Sequence, residues 1–202
     1  MVVSGYFMNI LNRFKKLFRT ASGNDTEVNN TSIDTAFVHE DDNCQIELSP
    51  AENIEYLTRN CIKIADFSKE HFDGQGWTET FVRKPPPTEI SSRMITIDEF
   101  SKPFIELGFI KKTLRFIGFP KSDFNQFVLT KENVNIYYGY SGNFVRSIYF
   151  DGHVNKNEKP LLSSVLLKLS KSYNLILVDW NLKELFDTRN ETEIDRFYTR
   201  YE

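Results

Sequence analysis

Two aspartates at the ends of apolar runs are the residues whose type and spacing best suit chemistry. Phe144-Val-Arg-Ser-Ile-Tyr-Phe150 leads into Asp151-Gly152, and Leu175-Ile-Leu-Val178 leads into Asp179-Trp180. If the two runs are strands and parallel neighbours, both carboxylates stand at carboxyl ends of strands, where open α/β sheets place ligands. Converging there, they could share a hard divalent cation or act as acid and base. The competing account is structural, because Asp-Gly is a common exit from a strand and both residues favour turns. No further carboxylate or histidine stands at a spacing that completes a metal shell, and His153 follows the Gly152 turn.

Two other segments carry ligand-type residues. His39-Glu40-Asp41-Asp42-Asn43-Cys44 has metal-binding side chains, yet a structural zinc needs four ligands and nothing elsewhere backs it up. It reads as a solvated acidic loop. Gly74 and Gly76 in His71-Phe-Asp-Gly-Gln-Gly-Trp77 follow a helix rather than a strand, so they do not match a dinucleotide fingerprint. A helix stop followed by a tight turn explains them. No phosphate-binding loop, nucleophile elbow or kinase signature occurs, and neither a metal nor a cofactor is expected. Cys44 and Cys61 are the only cysteines, which suits a reducing compartment, and Cys61 falls on the apolar face of a helix as a small hydrophobe.

The elements that must position these residues follow from composition and periodicity. The chain has 202 residues, 40% hydrophobic and 26% charged, with 18 Phe and 9 Tyr. That is globular composition with a large aromatic share to bury. The net charge of −3 gives no reason to expect nucleic acid. Its distribution is uneven: Arg13, Lys15, Lys16 and Arg19 stand alone in the first 20 residues, whereas acids dominate residues 21–60. No apolar run is long enough to cross a membrane, and no segregated secretory signal is visible, so a cytoplasmic location is expected.

Phe7, Ile10, Leu11, Phe14, Leu17 and Phe18 make one stripe of a basic amphipathic helix over residues 1–20, and residues 21–35 read as a flexible polar linker. A single globular domain is expected over 36–202, with a seam at 84–92 around Pro85-Pro86-Pro87. Ser49-Pro50-Ala51-Glu52 has the form of a helix start, and Ile54, Leu57, Cys61, Ile64 and Ala65 form the buried face behind it. Strands are expected over 77–83, 94–97, 126–130, 134–140, 144–150 and 174–179, with Ser141-Gly142-Asn143 turning a hairpin. Helices are expected around 109–117, over 160–171, and from Asn190, where Glu193 occupies the capping-box position and Ile194, Phe197 and Tyr201 share a side. The fold class is therefore α+β: a mixed sheet of about five to six strands with packed helices, preceded by the N-terminal helix and linker.

Three functions are compatible with this inventory. The first is a non-enzymatic protein-binding module. Its most concrete form is a bacterial immunity-type protein that blocks a basic toxin domain through an acidic and aromatic surface, since such loops complement basic grooves. Glu40, Asp41 and Asp42 supply the charge, and exposed Tyr138 and Tyr140 the anchors. The second is a small metal-dependent hydrolase or transferase using Asp151 and Asp179, which requires the two strands to bring their carboxylates together. The third is a peripheral membrane adaptor with weak contact through Phe7, Leu11, Phe14, Lys15, Lys16 and Phe18.

Overall fold

A computed structural model describes residues 35–39, 45–76, 78–79, 81–117, 125–132, 134–151 and 159–201, and for residues 35, 37–39, 115–117 and 151 the backbone only. The expectations placed on residues 1–34 and 40–44, including the amphipathic helix, the linker and Glu40, Asp41 and Asp42, lie outside the described residues.

The fold is α+β. Eight strands form one sheet: β1 (Thr35–His39), β2 (Ile46–Pro50), β3 (Ile110–Ile117), β4 (Gln126–Lys131), β5 (Val134–Ser141), β6 (Phe144–Asp151), β7 (Leu175–Asp179) and β8 (Glu184–Phe186). Their spatial order is β1-β3-β4-β5-β6-β2-β7-β8. β1 runs parallel to β3 at one edge, and every other neighbouring pair is antiparallel. Among the described residues four α-helices accompany the sheet: α1 (Ile54–Glu70), α2 (Ile97–Glu106), α3 (Lys159–Tyr173) and α4 (Glu191–Thr199).

Side-chain alternation along the strands assigns the two faces. Leu48, Ile136, Tyr138, Ile148, Leu175 and Leu177 pack with residues of α2, α3 and α4 in the main core. Ile176 and Val178, the alternate residues of β7, pack instead with Leu57 and Cys61 of α1. Every residue of β7 is consequently buried, which is why Leu175-Ile-Leu-Val178 is an unbroken apolar run. Burial pushes the Cys61 thiol up to about 11, so it behaves as the small hydrophobe its position suggested.

Several local expectations are corrected. The sheet has eight strands rather than five or six, because β1, β2, β3 and β8 were not anticipated. The described residues of 77–83 form no strand, and at 94–97 Thr96 makes a single bridge to Phe144. Residues 110–117, expected as a helix, are β3, held between β1 and β4. The helix in this region lies earlier, at α2, where Thr96 and Glu99 form a reciprocal capping box. α2 even contains Pro103, whose missing donor normally argues against a helix interior. Ser49-Pro50 does not cap α1. Both residues pair with β7 in β2, a 3-10 turn at Ala51–Asn53 follows, and Ile54 is exposed rather than buried. At α4 the Asn190 side chain does cap, accepting from the Thr192 N–H, but Glu193 pairs with Arg196 instead of closing a box.

The β5–β6 hairpin carries one sharply constrained residue. The pairing shifts register between Gly139 and Tyr140, and the Gly139 N–H donates to Ser147 Oγ across the strands at 3.2 Å. A Cβ at position 139 would lie 2.5 Å from that same oxygen. Gly139→Ala is therefore expected to destabilise the domain by about 1–3 kcal/mol through overpacking. Adding Ser147→Ala should recover part of the loss, as measured by urea unfolding of the single and double variants.

Candidate functional site

Asp151 and Asp179 do not stand at the ends of adjacent strands. β6 and β7 are parallel, but β2 lies between them, and Ile46 pairs with both Phe150 and Asp179. Two interstrand spacings put the strand axes about 10 Å apart. The Asp179 carboxylate is fully buried and already engaged: Oδ1 accepts the N–H groups of Asn181 and Leu182 at 2.9 and 3.0 Å, and Oδ2 accepts the Tyr201 hydroxyl. Burial, reinforced by the adjacent carboxylate, pushes the Tyr201 hydroxyl far up. Asp179 thus closes the β7–β8 turn and ties the end of the chain to it, which is the turn role. Among the described residues no group of three or more His, Cys, Asp or Glu side chains could hold a metal ion.

Tyr138 is a correction as well. It is fully buried in the main core, edge-on to Phe100 at 4.9 Å, and cannot serve as an exposed anchor. Tyr140 is half-buried and stacks flat on Phe127 at 4.9 Å. At the Gly-x-Gly segment, Asp73 Oδ1 accepts the N–H groups of Gln75 and Gly76, and Gly74 takes a φ of 93°, so the helix-stop turn is present.

What the fold does assemble is a cleft of about 370 Å³ on the α1 side of the sheet. Its floor is Glu47 of β2, which shares a row with Tyr149 and Val178. One wall is α1, through Tyr56, Leu57 and Asn60, and the end is Trp180, immediately after β7. The remaining wall is the extended segment 81–88, containing Arg83, Lys84, Pro85 and Pro86. Three prolines suppress both helix and ladder pairing there, leaving an extended strap.

Polar contacts pin the strap. Tyr56 donates to the Lys84 carbonyl at 2.6 Å, and Phe81 packs edge-on against Phe67 of α1. Buried Asn53 exchanges two hydrogen bonds with the Thr88 backbone, at 3.0 and 2.7 Å, while donating to Ser49 Oγ. With its backbone held at both ends, the strap lays the Arg83 guanidinium over the Trp180 ring at 4.3 Å and against Glu47 at 3.4 Å.

Burial and charge act in opposite directions at this corner. Burial raises the Glu47 carboxyl above its ordinary 4.5, and the Arg83 charge and the Trp180 indole N–H pull it only part of the way back. The indole lies near enough to favour the carboxylate, yet its Nε1 is buried without a hydrogen-bond partner. Asn60 donates to the Tyr56 carbonyl at 2.8 Å, and its Oδ1 accepts from no described residue. One charged pair, one unsatisfied donor and one spare acceptor therefore meet on aromatic and proline walls. Such a lining can orient a small polar group, and its volume suits a side chain or a small ligand.

None of the cleft's polar residues was singled out from the sequence. Glu47 counted only as one more acid in the 21–60 stretch, and Arg83 as the end of a strand. The usable signal was the proline run, which marks a fixed extended segment. No family model, curated protein or solved structure matches this chain.

Two outcomes follow from these contacts. Asp179→Ala is expected to cost about 3 kcal/mol, because two turn N–H groups and a tyrosine hydroxyl lose their charged acceptor. Urea titration of the variant beside the parent chain checks it. For Glu47, the raised folded value means that its contribution to stability is full below 4.5 and is lost as pH rises from there through the raised folded value. Glu47→Gln removes this slope, so its stability relative to the parent chain should climb as pH rises above 4.5, as read from unfolding curves at several pH values.

Proposed function

We propose that the protein is a non-enzymatic binding module and that the cleft under the strap receives one anchoring side chain of a partner protein. The observation that carries this reading is the unsatisfied Trp180 indole N–H beside the Glu47–Arg83 pair, in a recess walled by Tyr56, Pro85 and Pro86. Interfaces concentrate their energy in a few desolvated pockets lined by such aromatic and arginine side chains. The strap adds a rim suited to the neighbouring residues of a partner: Val82 is 82% exposed and flanks Arg83. Because β2, α1 and β7 form the other walls, the recess is preformed, which lowers the ordering cost of binding.

The narrower form of the proposal, an immunity-type protein that blocks a basic toxin domain, draws its charge argument from Glu40, Asp41 and Asp42, outside the described residues. The broader form does not depend on them. Selection of a displayed random-peptide library on the full chain tests it. Enriched peptides should bind at micromolar strength and lose about tenfold or more with Trp180→Phe, as hot-spot contacts do, and about threefold with Asn60→Ala. Peptides that fail to enrich, or that bind both variants as well as the parent chain, would overturn it.

A further inference from the structure

The cleft also restricts the chemistry of its occupant. Glu47 and Arg83 have side chains only 21% and 28% exposed, and together they contribute no net charge. A second carboxylate would compete with Glu47 for Arg83, and an ammonium or guanidinium would compete with Arg83 for Glu47. Either leaves one charge uncompensated in a partly desolvated recess, which is costly. A purely apolar group fares no better, because it strands the Trp180 N–H, on a residue only 6% exposed, and displaces whatever solvates Asn60 Oδ1. The complement to an unpaired donor beside an unpaired acceptor is a neutral group that is itself acceptor and donor.

From this arrangement we infer that the cleft is a carboxamide site, taking the primary amide of a partner's Gln or Asn side chain. The amide oxygen accepts from Trp180 Nε1, and the amide nitrogen donates toward Glu47 and Asn60 Oδ1. A carboxamide fills both roles in one plane, with two acceptor lone pairs and two donors. Its short stem packs against Tyr56, Pro85 and Pro86. The assignment rests on the side-chain-anchor reading above and names which side chain the anchor is.

Three isosteric probes separate the possibilities: propionamide, propionate and propylammonium, each titrated into the full chain while the indole N–H signals are followed by two-dimensional NMR. The chain has two tryptophans, so Trp77→Phe and Trp180→Phe each identify the Trp180 signal independently. Propionamide should shift that signal saturably, at least about fivefold more tightly than either charged analogue, and Asn60→Ala should weaken it about threefold, the scale of one neutral hydrogen bond. A charged analogue that binds equally or better overturns the carboxamide assignment while leaving the side-chain anchor in place. No saturable shift with any probe overturns the assignment too. Failure of the peptide selection, by contrast, strikes the anchor reading itself.

Discussion

Residues 46–50 fill the slot between β6 and β7, and their antiparallel pairing to β7 across five residues organises the rest of the domain. A parallel pair cannot be joined by a tight turn, so β6 and β7 need the α3 crossover between them. With β2 inserted, each of the two strands gains an antiparallel neighbour and the sheet continues to β8. The same insertion separates the two strand-end aspartates and delivers Glu47 to the α1 face beside Val178. One strand placement thus keeps those two strand ends apart and brings the lining of the cleft together.

The pairing has consequences for the helix that follows. Since Ser49 and Pro50 are held against Ile176 and Leu175, the chain turns through a 3-10 segment before α1 starts. Asn53, at that turn, then faces the strap and fastens Thr88 with two hydrogen bonds while also holding Ser49. A polar bracket secures the neighbouring edge: Glu52 contacts Arg93 and Asn174, and Arg189 joins Asn174 to Asp187. These ties hold fixed distances between segments remote in sequence, and a recess of defined shape depends on such distances.

The cleft and the β7–β8 turn satisfy their carboxylates very differently. Buried Asp179 has its acceptor sites filled by two backbone N–H groups and a tyrosine. Glu47 has a single long contact to Arg83 and an indole that does not close a hydrogen bond. Trp180 Nε1 is one of five buried side-chain polar atoms without a partner among the described residues, and the only one whose residue lines the cleft; polar groups left short of partners concentrate at functional sites.

Much of the secondary structure was legible in the chain itself. The β4–β5–β6 run, α1, α3 and α4 declared themselves because each buries a face wide enough to impose a period on its own residues, and β7 because an unbroken apolar run suits a strand buried on both faces. The strand-end turn role of Asp179 was legible too, from residue type alone. β3 was not, since Lys111, Lys112 and Arg115 break any alternation and its strand character comes from pairing with β1 and β4, helped by Lys111 lying over Phe127. β2 was hidden because its Ser-Pro end imitates a helix start, and only the partner strand decides between the two. The cleft depended most on tertiary structure. Glu47, Asn60, Arg83 and Trp180 come from four elements, and burial and mutual distance, which no local pattern encodes, make them a site.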